Sequence, residues 1–433
     1  MTNTNPSETR RASIVRRQAE VLREVIERAE DEVIDGGRPA DTMLRGLFRS
    51  RRELGSRDRR LIGDTVFAFF RWRGWTRERG LDPAASCAVA WRLDGEAPPP
   101  PVERFAAECG SDPGGRVVPG TLEERRAALQ ETLRANPPLD VTELVPAWAG
   151  EQLGRIAPEG VAEIIESFQD RPPTWLRVRP NRADRVREAL AAQGIEFAEG
   201  PSEALAIEGG FHLGELRKKA GRTFEVQDLA SQCVGAVCDP RPGEAWWDVC
   251  AGAGGKALHL ADRMEGQGRV LATDRREGIV RNLKQRARAS GMKSVRAAVL
   301  DAAARVPEER FDGVLIDAPC SGMGTWSRNP DARWRTDGSM PERKREIQRA
   351  LLQRGAEALR PGGILVYSVC TLTSTETMEV VQDLLEARDD LAPEAFPHPL
   401  GGGNTDGAAW VLPQDGPCSG MFIARLRKES FYE

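Results

Sequence analysis

Histidine is scarce in this 433-residue chain, which has only three, and no two of its eight cysteines form a C-x-x-C pair. A structural zinc site built from those residues is not expected, and no metal is. No apolar run reaches the roughly 18 residues a bilayer crossing needs, so no membrane span is expected. The opening, Met1 to Arg11, lacks the apolar stretch of a secretory signal and reads as a disordered leader. Cysteines scattered over a long chain argue against a disulfide framework and for reduced thiols in a cytoplasmic protein. Lysine is missing before residue 80, whereas arginine is abundant there (Arg10, Arg11, Arg16, Arg17, Arg45, Arg49, Arg51, Arg52, Arg57, Arg59, Arg60, Arg71, Arg73). Guanidinium forks suit phosphate recognition. Interspersed acids equally allow plain solvated helix faces, and the net charge of −4 does not decide the matter.

The length exceeds one compact core and fits two or three domains. Val15, Ala19, Leu22, Ile26, Ala29 and Val33 line one helical face, and Ile62, Val66, Phe69 and Phe70 form a second stripe. Pro98 to Pro101 read as a stiff linker or loop, and Pro137-Pro138 as another break. An all-α module to about residue 140 is therefore expected. Beyond it, Thr174 to Val178 reads as a strand, Asp184 to Gln193 as a helix, and Ile195 to Phe197 as a strand, giving a small α+β bridge. From Ala245 onward, apolar runs (Trp246 to Cys250, Val270 to Thr273, Val314 to Ile316, Ile364 to Tyr367) alternate with helical patterns. That alternation predicts an α/β fold with a doubly wound, mostly parallel sheet. No internal repeat is present.

The segment Asp248-Val249-Cys250-Ala251-Gly252-Ala253-Gly254-Gly255-Lys256 ends a strand and opens a helix near Ala257. Glycines let the backbone approach a ligand, and the helix N-terminus offers free amides. Asp274, 24 residues after Cys250, falls at the next strand end, where a carboxylate accepts ribose hydroxyls. Asp301 follows Val295 to Leu300, placed to reach an adenine amino group, and Asp317 closes Val314 to Ile316. A P-loop NTPase needs Ser or Thr after the lysine, and Ala257 stands there instead. A dinucleotide dehydrogenase is not excluded by spacing.

Two motifs discriminate further: Asp317-Ala318-Pro319-Cys320-Ser321-Gly322 and Tyr367-Ser368-Val369-Cys370-Thr371. Each sets a cysteine just past a buried strand, 50 residues apart. Parallel topology would bring both thiols to the crevice of the glycine loop. Free cysteines are most often small buried hydrophobes, and the other six are read so. Loop residues around Cys320 do not suit that packing role. A thiolate beside an adenosyl site has a definite use. Carbon 5 of cytosine is too weakly nucleophilic to take a methyl group until a thiolate adds at carbon 6 and makes it enamine-like. Asp317 at the ring nitrogen would stabilise the developing charge.

These motifs resemble the RNA cytosine-5 methyltransferases of the Sun/Fmu (RsmB) type. Phe224 to Ser231, Arg328-Asn329-Pro330-Asp331 and Met421 to Lys428 are similar to further segments of that family. Gly55 to Ile62, with the helix to Trp72, resembles its NusB-like domain. The resemblance implies a Rossmann-like class I methyltransferase domain (236–433), preceded by an all-α NusB-like RNA-binding domain (1–140) and an α+β bridge (141–235). It implies S-adenosylmethionine held by Cys250, Ala251, Gly252, Ala253, Gly254, Gly255, Lys256, Asp274, Asp301 and Asp317. Cys370 is then the nucleophile, with Cys320 assisting proton removal or enzyme release. The implied substrate is a cytosine of ribosomal RNA, of the small subunit (16S). Transfer RNA, or a cofactor-binding assembly factor without turnover, are the alternatives. No obligate protein partner is implied. Arg177-Val178-Arg179 stands where Arg-Val-Asn is usual, Ala251-Gly252-Ala253-Gly254 where Ala-Ala-Pro-Gly is usual, and Glu376-Thr377-Met378 where Glu-Asn-Glu is common. Trp326 and Trp334 are candidates for stacking on a base, with ordinary packing as the plainer role.

Overall fold

A computed structural model describes residues 6–430. The chain packs as two compact units, the first running to Asp170 and reclaiming Trp326–Gly338, the second comprising Arg171–Thr325 and Ser339–Glu433.

The first unit is helical. Its opening helix, Pro6–Ala29, replaces most of the disordered leader expected up to Arg11; residues 1–5 lie outside the described residues. Good helix formers such as Arg, Ala and Glu extend the helix outward from the stripe that anchors it. Ala19, Leu22, Ile26, Ala29 and Val33 of that stripe are buried against Ile62, Val66, Phe69 and Phe70. The proline run does not form a linker. Helix Pro100–Cys109 starts within it, since a proline in the first turn gives up no hydrogen bond. Arg71 and Arg73 are buried in ion pairs with Asp94 and Glu30, both at 2.7 Å, which removes them from phosphate recognition.

Trp326–Gly338 supplies this unit with a buried cation. Arg333 is fully buried and donates to the carbonyls of Phe168 (2.9 Å) and Leu144 (3.0 Å) and to Gln169 Oε1 (3.2 Å). Trp326 is fully buried, edge-on to Trp148 and Phe168, and Trp334 donates to the Phe70 carbonyl at 2.7 Å. Trp326 is thus a packed core residue, whereas Trp334 is half-buried with its indole N–H on a backbone carbonyl.

The second unit holds two sheets. The smaller contains β1 (Thr174–Val178), β2 (Ala198–Glu199), β3 (Leu205–Ile207) and β4 (Phe224–Val226) in the order β2-β3-β1-β4, all antiparallel. Pairing starts at Ala198, just beyond the strand expected at Ile195 to Phe197. The larger contains β5 (Ala245–Asp248), β6 (Arg269–Asp274), β7 (Val295–Val299), β8 (Phe311–Asp317), β9 (Leu359–Val369), β10 (Leu391–Pro393), β11 (Ala408–Val411) and β12 (Met421–Lys428). Its order is β10-β12-β9-β8-β5-β6-β7, with β11 also on β12. Strands β5 to β9 pair in parallel, and β10 to β12 add antiparallel at one edge. Alternate residues feed opposite faces: Trp246, Val270, Leu315 and Val366 enter one core, and Trp247, Leu271, Val314 and Leu365 the other. Burial on both faces is why these strands read as unbroken apolar runs. No helix among the described residues is long and apolar enough to cross a membrane.

Removing Arg333 would strand buried carbonyl acceptors, each costing ~1–3 kcal/mol. Arg333→Ala should therefore lower stability to denaturant by roughly 3 kcal/mol, and Arg333→Lys should not restore it, because an ammonium lacks the fork. Urea unfolding of both variants checks this.

Candidate active site

From β5 the chain runs outward through β6 and β7, then returns to place β8 and β9 on the other side of β5. Loops leaving β5 and β8 therefore diverge and open a crevice at the carboxyl ends. The glycine loop follows β5, the Cys320 loop follows β8 and the Cys370 loop follows β9.

In the glycine loop, the Ala251 amide donates to the Thr273 carbonyl and Gly254 N–H to the Ala251 carbonyl, both at 2.8 Å. Gly254 has φ +85°, and a Cβ there would lie 2.8 Å from Leu283 Cγ, so only glycine fits. Helix Gly255–Arg263 begins directly after it. Cys250, Ala251, Gly252 and Gly255 are partly exposed and Ala253 is exposed, leaving this backbone open to a ligand. Burial pushes the Cys250 thiol well up, so it stays protonated.

Asp274 ends β6. Burial opposes its charge, but hydrogen bonds from the Arg276 side chain and amide, with one from the Gly252 amide, hold it below the usual carboxylate range. Asp301 lies two residues past β7, exposed, with Oδ1 accepting from the Ala303 amide at 3.3 Å. The structure thus ties Asp274 to the glycine loop, whereas the hydrogen bond at Asp301 is local.

Lys256 reaches across to Asp317, Nζ to Oδ2 at 2.6 Å, and Ser368 Oγ donates to Asp317 Oδ1 at 3.1 Å. Burial works against the Lys256 ammonium, yet the Asp317 carboxylate outweighs it and raises the lysine further. Behind them Asp248 is fully buried. Burial first, then the charge of Asp317, pushes its carboxyl up to about 8.

Asp317 and Ser368 are register partners across β8 and β9, and the Ala318 amide donates to the Ser368 carbonyl at 3.0 Å. Cys320 and Cys370 leave that pair side by side, with Sγ···Sγ 3.4 Å. Both are partly exposed. The hydrogen bond from Cys320 is the main influence holding the Cys370 thiol below its ordinary value; Lys256 helps, while burial and Asp317 oppose. Giving that hydrogen bond, with burial, raises Cys320 well above the usual thiol range. Cys370 is thus the sulfur that ionises more readily and Cys320 the one that holds its proton.

Glu376 entered the sequence reading only as the first residue of Glu376-Thr377-Met378, yet it joins the two cysteine loops. Fully buried, it accepts from the Ser321 amide at 2.8 Å, Ser321 Oγ, Thr373 Oγ1 at 3.0 Å and Gln348 Nε2 at 3.2 Å. Ser321 and Thr371 hydroxyls also meet at 2.7 Å. The available signal was the hydroxyl-rich Thr371-Leu372-Thr373-Ser374-Thr375, which needs a buried acceptor once packed. Gly324 closes the assembly, its N–H on the Cys370 carbonyl at 3.1 Å. A Cβ there would stand 2.0 Å from the Gly420 carbonyl oxygen.

Asp248 carries a pH signature. Folded, it keeps its proton to about pH 8; unfolded, an aspartate loses it near pH ~4. In that window the folded state binds more protons, so stability falls as pH rises through it. Melting temperatures of Asp248→Asn should shift in the variant's favour, relative to the parent, from pH 5 to pH 9. A constant difference would contradict the assignment.

Comparison with known proteins gives a family. Residues 236–427 match the model of 16S rRNA methyltransferase RsmB/F. A "Probable ribosomal RNA small subunit methyltransferase B" from Synechocystis is 33% identical over 276 residues, covering 60% of this chain and only 61% of that relative's length. A ribosomal RNA small subunit methyltransferase B from Escherichia fergusonii is 30% identical over 328 residues, 72% of this chain and 73% of the relative. The crystal structure of PH0851 superposes with a TM-score of 0.71 at 24% identity over 93% of this chain and 98% of its own, a likeness of fold. On the sequence match that spans nearly three quarters of both chains, this protein belongs to the RsmB/F family of 16S rRNA methyltransferases.

Proposed function

We propose that this protein transfers a methyl group from S-adenosylmethionine to carbon 5 of a cytosine in small-subunit ribosomal RNA. The observation that carries the reading is the pair of partly exposed cysteines with sulfurs 3.4 Å apart, beside the buried Lys256 and its partner Asp317 at the switch point of a parallel sheet. The ribosomal substrate is supported by the names of the relatives, and the all-α leader (1–140) is read as a NusB-like RNA-binding module.

The crevice suits the cofactor chemically. Gly254 makes room where a side chain cannot go, the following helix N-terminus offers amides to a carboxylate, and Asp274 is an ionised acceptor for ribose hydroxyls. The Arg276 side chain now on Asp274 is 62% exposed, so it can swing away at small cost. Asp301 is the acceptor offered to the adenine amino group. S-adenosylmethionine, when bound, supplies an electrophilic methyl group.

Cys370, anionic at lower pH than an ordinary thiol, adds to carbon 6 of the cytosine. The Asp317–Lys256 pair contacts the ring edge, with Lys256 able to give a proton as negative charge builds on the ring nitrogen. Cys320 then serves removal of the carbon 5 proton, which lets the Cys370–carbon 6 bond break and frees the enzyme. With no thiolate left to donate to at that stage, Cys320 gives its own proton to solvent and, as a thiolate beside the adduct, accepts the one leaving carbon 5. The base must leave its stack first, at a few kcal/mol.

Cys370→Ala should abolish methyl transfer from labelled cofactor to ribosomal RNA, and an active variant refutes the nucleophile. Cys320→Ala should instead accumulate a covalent RNA–protein adduct that survives denaturing electrophoresis. Its absence, with turnover intact, removes Cys320 from the release step. Bisulfite sequencing of ribosomal RNA from a deletion strain should show one lost 5-methylcytosine.

A further inference from the structure

Two sulfurs in contact have a second chemistry open to them. The separation of Cys320 and Cys370 is set by the scaffold. Strand register fixes Asp317 against Ser368, Glu376 ties Ser321 to the Thr373 turn, and Gly324 N–H binds the Cys370 carbonyl. A disulfide bond is ~2.05 Å long, so the sulfurs must approach by about 1.4 Å, a shift that rotation of two side chains can share. Both residues are partly exposed at the carboxyl edge of the sheet, where a small oxidant has access to the loops that carry them. Of the remaining six, Cys87, Cys233, Cys238 and Cys418 are buried and Cys109 is exposed on the helical unit, while Cys250 is partly exposed in the glycine loop but burial raises its thiol and keeps it protonated.

We propose that Cys320 and Cys370 form a reversible oxidation site, closing to a disulfide when the protein meets hydrogen peroxide. The Cys370 thiolate attacks one peroxide oxygen, the O–O bond breaks, and hydroxide leaves, giving a sulfenic acid. The Cys320 sulfur attacks that sulfur, the S–O bond breaks, and the oxygen departs as water with the Cys320 proton. Two thiols are oxidised and one peroxide is reduced to two waters, the hydroxide having taken up a proton from solvent. The low-lying Cys370 thiol favours the first step, and the 3.4 Å proximity of Cys320, which gives up its proton as it attacks, favours the second.

Such closure protects the site as well as silencing it. A sulfenic acid without a neighbouring thiol proceeds to sulfinic acid, which thiols do not reduce, whereas a disulfide is recovered by exchange. Silencing follows because Cys370 is the proposed nucleophile. That consequence, though not the cross-link, rests on the methyltransferase reading.

The full-length protein is treated with hydrogen peroxide, its remaining thiols are alkylated, and unreduced peptides are mapped by mass spectrometry. The expected product is a Cys320–Cys370 cross-linked peptide that disappears with dithiothreitol, while methyl transfer falls to background and returns. In Cys320→Ser, with folding checked by circular dichroism, Cys370 should run on to sulfinic acid and dithiothreitol should recover nothing. Cys109→Ser should cross-link as the parent does. The proposal is overturned if the parent yields Cys370 sulfinic acid without the cross-link, pairs either cysteine elsewhere, or leaves both reduced while Cys109 oxidises. A cross-link without any methyl transfer before oxidation upholds this proposal and counts against the functional reading instead. Should Cys320→Ser fail to fold, the parent peptide map alone decides.

Discussion

Register between two parallel strands is the constraint on which the chemistry rests. Asp317 sits opposite Ser368, and each chain continues for only two or three residues before presenting its cysteine. A shift of one residue would reverse the facing of every side chain on β8 or β9 and bury the wrong set. The apolar runs Val314-Leu315-Ile316 and Leu365-Val366-Tyr367 hold that register because both their faces are filled. Packing in the middle of the sheet therefore sets a sulfur–sulfur distance at its edge.

Contact between the sulfurs also forces them to differ. Two thiolates at 3.4 Å would repel by about 5 kcal/mol at an effective dielectric near 20, so only one ionises readily. The Cys320 hydrogen bond chiefly favours the charge on Cys370, and Lys256 adds to it. The carboxylates nearby work the other way, and one of them, Asp248, responds by keeping its proton. A single buried ammonium thus serves one carboxylate and one thiolate. A second ionised carboxylate would compete with the thiolate for it.

Much of this was legible in the sequence because it is local. Glycines after an apolar run, an aspartate closing a strand and a cysteine just beyond it survive translation into structure with little change. Trp246 to Cys250 shortened to β5 and Ile364 to Tyr367 lengthened to β9, each carboxyl end moving by two residues, yet the glycine loop and Cys370 still lie just past those ends. Less legible were features that depend on distant partners. Nothing in Trp326–Gly338 says that it packs with the helical unit, because its partners at Phe70, Leu144 and Phe168 lie over 150 residues away. The role of Glu376 was not legible, since the donors it accepts from come from three separate segments. The arginines before residue 80 looked equivalent, although Arg71 and Arg73 are buried and Arg45 is not.

Positions where the chain departs from its family's usual pattern can be understood on the same terms. Arg177 is buried, its Nη1 2.5 Å from Asp262 Oδ2 and its Nε donating to Gln227 at 2.7 Å. Arg179, in place of the usual asparagine, lies 3.4 Å from the other Asp262 oxygen and donates to the Ser290 carbonyl at 3.0 Å. One buried carboxylate thus serves two guanidinium groups. Burying a second cation is tolerable here because it has a carboxylate oxygen and a carbonyl to face. Thr377, where asparagine is common, is buried with its hydroxyl on the Thr373 carbonyl at 2.5 Å, and so reinforces the turn that carries Glu376. Met378 opens the next helix and is 49% exposed, where a glutamate would have favoured the helix N-terminus. These substitutions alter how the turns are braced while leaving the sulfurs, the lysine and the carboxylate at the sheet edge unchanged. Selection on the chemistry and selection on its supports can act separately, because the supports are hydrogen-bonded turns with more than one workable side chain.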